Sequence, residues 1–364
     1  MEFGMQFFPC VGPDQKSGAQ YFDECLRLVD NADRYGWTHI RTVEHYFRPY
    51  GGYTPNPIVF LSAAAQRTKT ARLITGAVLP VFNNPLKLAG EIGMLDAISG
   101  GRLEVGFARA FLPYEFANFK VSVNESRERF AEGMEQVRIL LEQDTASHAG
   151  KFHSFENVTS LPRPTQKPRP PFWVAAIATP ESFVAAGKAG HAIMGIPMAG
   201  GKMKELLGLY RDAWKQAGHA GRGRVMLAFH MHCAETQQQA FEVARDPLNR
   251  YLKAIAAATA DWGSMSSKDY PGYDKIAEIL AKETIDTQVK SGGAWIGSPD
   301  EIAEQIARYN DEVGGFEVAS LQINFNDLPY AAADRSLRLF SEAVMPKFAG
   351  HSAEKPSISA RKAG

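Results

Sequence analysis

The 364-residue chain has no excess of either charge: 40 Lys and Arg stand against 40 Asp and Glu. Neither a basic stripe nor an acidic tail interrupts the balance, which argues against nucleic acid or any other polyanion held by charge. Cysteine is scarce, and Cys10, Cys25 and Cys233 form neither a metal-type spacing nor a disulfide framework. They fit free thiols in a reducing compartment. No apolar run reaches membrane-spanning length. The opening MEFGMQFFPC carries an acid where a signal peptide carries bases. No Gly-x-Gly-x-x-Gly turn follows the first apolar run, so a dinucleotide-binding sheet loses its main support. These absences predict a cytoplasmic protein without a membrane or nucleic-acid partner.

What is present is alternation. Short apolar runs at 3–8, 39–43, 73–79, 102–107, 172–176, 192–196, 225–233 and 319–324 read as strands. Helical spacing separates them at 21–35, 56–68, 85–98, 124–143, 181–189, 201–217, 236–258, 299–313 and 331–346. Repeated strand–helix units favour parallel strands joined by crossover helices. Eight of them in this length predict an α/β fold, a (β/α)8 TIM barrel with insertions, as one domain over residues 1–350. Residues 146–171 are Pro-rich and lack a helical period, so a small β excursion is expected there. Residues 260–274 form a long polar and aromatic loop of the kind that serves as a mobile lid. The tail from His351 is expected to fray.

In such a barrel, chemistry sits at the carboxyl ends of the strands. RTVEHYFRPYGGYTPNP follows the second strand and sets Glu44 and His45 there. An imidazole at that position donates, accepts or shuttles a proton near neutral pH, or is simply satisfied by backbone partners. Glu44 would orient it or pair with an arginine. Gly76 and Ala77 in the third strand suit either the close approach of a flat ligand or tight packing in the barrel interior. Arg109, just past the fourth strand, would hold a phosphate or a polarised carbonyl, or bridge to Glu115 or Glu44. After the fifth strand, Thr179 reads as a helix N-cap, with Pro180 at the first helical position and Glu181 and Ser182 in the first turn. That turn is either ordinary capping or an anion site.

These segments share an order with a known family. EHYF, TGAVLPVFNNPLKLAGEIGMLDAISGGRLEVGFAR, NESR, ATPES and IGSPDEIAEQI together resemble the bacterial luciferase-like flavin-dependent monooxygenases, of the alpha-chain type, over most of residues 1–350. The resemblance implies a barrel that takes reduced FMN (FMNH2) from a separate NAD(P)H:flavin reductase. It implies that O2 is activated as a flavin peroxide and that a small organic substrate is oxygenated. His45 matches the family's catalytic histidine, with Glu44 beside it. Arg109 matches an arginine on the flavin phosphate, and Thr179, Glu181 and Ser182 fall in the phosphate-binding turn. Gly76 and Ala77 match a bulge, often with a cis peptide, that backs the flavin ring. A homodimer through helices near strands two and three is also implied.

Ala108, Leu112 and Glu115 depart from the luciferase alpha chain, where a reactive cysteine, a tyrosine and an aspartate stand. The departures remove the expectation of light emission and leave that of flavin use. An aldehyde, a ketone for Baeyer–Villiger oxidation and an aromatic intermediate are all compatible substrates. Barrel relatives that use deazaflavin F420 for hydride transfer, and non-catalytic flavin-binding subunits, are the alternatives. His45 argues for catalysis, because non-catalytic relatives tend to lack the histidine.

Overall fold

The computed structural model describes residues 1–349, and the tail expected from His351 lies outside them. The strands are β1 (Glu2–Phe7), β2 (His39–Thr42), β3 (Arg72–Thr75), β4 (Leu103–Phe107), β5 (Ala146–Ala149), β6 (Ser154–Val158), β7 (Phe172–Ala175), β8 (Ala192–Gly195), β9 (Val225–Cys233), β10 (Ala294–Gly297) and β11 (Val318–Gln322). Parallel pairing runs β11-β1-β2-β3-β4-β7-β8-β9, and β9 pairs back onto β11. This closes an eight-stranded barrel, as the alternation predicted. The antiparallel pair β5–β6 supplies the expected β excursion.

One strand escaped the sequence reading. His230 on β9 pairs with Gln322 on one side and with Ala294 of β10 on the other. β8 and β10 therefore share one edge of β9, which is long enough to carry both. The run Ala-Trp-Ile-Gly is too short to announce itself by periodicity.

Alternation along the strands divides the side chains into two populations. Met5, Ile40, Leu73 and Val105 point outward and pack under the helices in the main core. Ile74, Trp173, Met194, Met226 and Val318 form a separate cluster inside the barrel. The lumen is thus filled rather than open, as side-chain layers fill small barrels.

The helices that frame the site are α1 (Gly18–Val29), α2 (Ala32–Tyr35), α3 (Pro57–Arg67), α4 (Pro85–Ile98), α5 (Pro113–Phe119), α6 (Ser126–Glu142), α7 (Pro180–Lys188), α8 (Gly200–Gln216) and α9 (Gln237–Thr259). The single helix expected over 21–35 is two, because the chain breaks at Asp30 and Asn31. There Asp30 accepts from Arg67 and the Asn31 amide reaches Asp334. α3 and α4 start as their sequences dictate, each with an Asn cap and a Pro in the first turn. No helix among the described residues is long and apolar enough to cross a membrane. All three cysteines are buried free thiols.

Candidate active site

β2 and β4 deliver His45 and Arg109 to the same rim, on either side of the end of β3. The strand expected over 73–79 leaves its ladder after Thr75. It returns at Val78, which bridges to Phe107, and the Gly76–Ala77 peptide between them is cis. Gly76 serves packing: a Cβ there would overlap the Nε, Cγ and Cδ atoms of Arg41, a lumen-facing residue of β2. Of the two readings of this glycine, tight interior packing has direct structural support.

His45 is buried, and its Nδ1 lies 3.0 Å from Glu115 Oε1. The same oxygen accepts the Tyr46 backbone N–H at 2.9 Å. The carboxylate is thus the acceptor and Nδ1 the donor, which leaves Nε2 as the ring nitrogen free of that bond. Nε2 has no hydrogen-bond partner among the described residues and is not among their sealed, unpaired atoms. Phe8, Tyr50 and Phe111 surround the ring at centroid distances of 5.6, 5.5 and 5.9 Å. They fix its plane and keep one face dry. Glu115, fully buried in the first turn of α5, is the orienting group that sequence reasoning assigned to Glu44. The two residues lie 70 positions apart, so no local signal links them.

Glu44 does other work, and neither partner expected for it is found. Its carboxylate accepts from Tyr46 Oη at 2.5 Å, Asn83 Nδ2 at 2.8 Å and Leu79 N at 3.1 Å. It clamps the segment after β3 to the end of β2 and touches neither His45 nor an arginine. Burial pushes this carboxyl up to about 7, against the lowering effect of its three donors. Between the ordinary value of 4.5 and about 7, the folded chain holds a proton that the unfolded chain has lost. Stability therefore falls as pH rises through that window, by about 3 kcal/mol at 1.36 kcal/mol per unit, and is flat above it. Glu44→Gln should remove this slope. Urea unfolding at pH 5 and pH 8 should show a smaller loss in the variant than in the parent, whereas equal losses would contradict the assignment.

Arg109 forms neither expected ion pair. Its Nη2 donates to the Asp269 carbonyl at 3.1 Å, and the guanidinium stands 4.6 Å over the Tyr270 ring. Nη1 is sealed from solvent without a partner. Arg109, Glu181 and Ser182 line one cavity of about 300 Å³ between α6 and α7. Thr179 is the N-cap of α7, but its side chain makes no capping bond and does not line the cavity. The segment expected as a lid is packed down. Trp262 and Tyr270 are buried and donate to the carbonyls of Phe111 and Ala110, at 2.8 Å each. Phe82 and Phe116 pack together at 5.1 Å, while Phe47 is 59% exposed beside Tyr46 and Phe119.

A half-buried guanidinium with a sealed, unused donor beside a helix N-terminus suits an anion by its chemistry. Arg109 and the first turn of α7 therefore fit the phosphate of a cofactor such as FMN. The open His45 Nε2, across the end of β3, fits a proton-handling group at the cofactor's reacting end.

Comparison with known proteins finds monooxygenases among the chain's relatives. The flavin-dependent trigonelline monooxygenase oxygenase component of Acinetobacter baylyi is 30% identical over 344 residues, covering 92% of each chain. The crystal structure of monooxygenase RslO1 from Streptomyces bottropensis superposes with a TM-score of 0.85 at 42% identity, covering 96% of this chain and 100% of that one. The oxygenating constituent of 3,6-diketocamphane monooxygenase from Pseudomonas putida, a type II Baeyer–Villiger enzyme solved with FMN, shares the fold. Its TM-score is 0.80 at 23% identity, over 95% of this chain and 98% of that one. The family model for luciferase-like monooxygenases matches residues 1–314. On that match and the near full-length relatives, this chain belongs to the luciferase-like monooxygenase family.

Proposed function

We propose that the protein is the oxygenase of a two-component, FMNH2-dependent monooxygenase that acts on a small organic substrate in the cytoplasm. The observation that carries this reading is the pairing of two unspent groups across the end of β3. These are the sealed Arg109 Nη1 and the open, oriented His45 Nε2. Reduced FMN, when bound, supplies the two electrons with which dioxygen is split, one oxygen atom entering the substrate and the other leaving as water. The chain's own part is positional. Arg109, Ser182 and the free backbone amides of the first turn of α7 would hold the phosphate. His45 accepts or returns a proton at Nε2, and Glu115 keeps that nitrogen aimed at the mouth. Phe8, Tyr50 and Phe111 exclude water around it.

The electrons come from a separate NAD(P)H:flavin reductase, the arrangement suggested by the "oxygenase component" in the Acinetobacter relative's name. Purified protein supplied with such a reductase, FMN and the true substrate should incorporate ¹⁸O from dioxygen. Activity with reduced F420 in place of FMN, without oxygen incorporation, would instead support the deazaflavin reading that the fold also hosts.

A homodimer belongs to the same proposal. α4 exposes Leu86, Met94 and Ile98 beside the ion pair Lys87–Glu91. Leu88, Ile92 and Leu95 are buried against the barrel, while Met94 is 47% and Val59 of neighbouring α3 is 69% exposed. A cluster of exposed apolar residues on the outer side of a helix suits a face that is covered. Sedimentation should give a dimer for the parent. Val59→Asp with Met94→Lys should shift it to monomer, and a monomeric parent would remove this part of the proposal.

A further inference from the structure

Arg41 is the buried cation that the site just described does not use. It enters the lumen from β2 and is 7% exposed. Its Nη1 donates to Gln6 Oε1 on β1 at 2.5 Å, and its Nη2 donates to the Gly76 carbonyl at 3.0 Å. Nη2 also lies 3.6 Å from Met194 Sδ on β8, across the barrel. Nε is sealed without a partner. No carboxylate pairs with it among the described residues: its neighbours are an amide, a carbonyl and a thioether.

The ionisable groups around it add no negative charge. Burial raises the Tyr251 phenol well above its ordinary range and lowers His39 to about 3. Burial also lowers Arg41 itself, to about 10, which leaves it charged at neutral pH. An uncompensated charge taken out of water is costly, so a bound anion nearby is favoured.

The position says which anion. His45, Gly76 and Arg109 follow β2, β3 and β4, which are neighbours in that order. A ligand with its phosphate on Arg109 and its reacting end at His45 crosses the end of β3, and Arg41 is hydrogen-bonded to the carbonyl there. Resting on the FMN reading above, we propose that Arg41 is a positioning charge that makes the site prefer FMN with its ring reduced and N1 deprotonated over oxidised FMN, whose ring is neutral.

At an effective dielectric constant near 20, one charge a few ångströms away is worth about tenfold or more in that preference. The test is binding and potential, not turnover. Oxidised FMN is titrated by fluorescence and reduced FMN anaerobically, for the parent, Arg41→Met and Arg41→Lys. The parent should bind reduced FMN more tightly than oxidised. Arg41→Met should lose about tenfold of that preference, which is a fall of about 30 mV in the bound two-electron potential. Arg41→Lys should retain most of it. Equal preferences in all three proteins would overturn the role of Arg41 while leaving FMN binding intact. A parent that binds neither form would overturn the FMN reading and this proposal together.

A measurement on the parent alone guards against a variant that fails to fold. Bound reduced FMN should keep its anionic absorbance to at least about one pH unit below the point where free reduced FMN takes up its proton. Protonation at the same pH as free reduced FMN would overturn the proposal.

Discussion

His45→Ala should cut product formation per reduced FMN consumed by about 10²–10⁴-fold while leaving the FMN dissociation constant within about threefold. The imidazole makes one tethering bond, to Glu115, and presents Nε2 to the mouth, so its loss removes proton handling without touching the phosphate end. Hydrogen peroxide should replace the missing product, because electrons still reach oxygen. Glu115→Gln should fall between parent and His45→Ala. It keeps the shape of the buried side chain but offers Nδ1 a neutral amide in place of the carboxylate. Unchanged coupling in His45→Ala would end the assignment.

Arg109→Met should weaken FMN binding by about 10²-fold and leave riboflavin binding unchanged, since only the phosphate needs the sealed Nη1. A charge-assisted phosphate contact from a donor sealed against water supports a loss of that size. The methionine stem would still cover Tyr270, which limits the effect on the packed 260–274 segment. Isothermal titration with both ligands separates the two ends of the site. Equal losses for FMN and riboflavin would mean that Arg109 acts through that segment and not through phosphate.

The barrel was legible because its signal is local and repeated. Seven of the eight barrel strands lie within about two residues of their expected bounds; β3, expected to reach residue 79, ends at Thr75. The site was legible only where a residue sits at a strand end. The candidates His45 and Arg109 were chosen that way, and Glu181 and Ser182 line one cavity with Arg109. Glu44 was misread because adjacency in sequence suggested partnership with His45. At the end of a strand, neighbouring side chains diverge, and Glu44 turned to Asn83 and Leu79 instead. The pairing of Glu115 with His45, and Arg41 itself, stayed hidden for the opposite reason. Their partners lie on other elements, and a lone acid in LPYEF or a lone arginine in HIRT carries no periodic or spacing signal. Thr179 kept its place at the cap, but the bond its residue type predicted is absent.

The account stands on the claim that this site holds reduced FMN and governs its reaction with oxygen. The direct measurement is to mix the protein with reduced FMN anaerobically, add dioxygen, and follow both oxygen uptake and the return of oxidised-FMN absorbance on the millisecond scale. Oxygen should be consumed well before oxidised FMN reappears, and His45→Ala should change that delay. If oxidised FMN returns as fast as it does in free solution, with no delay at any protein excess, the account is contradicted.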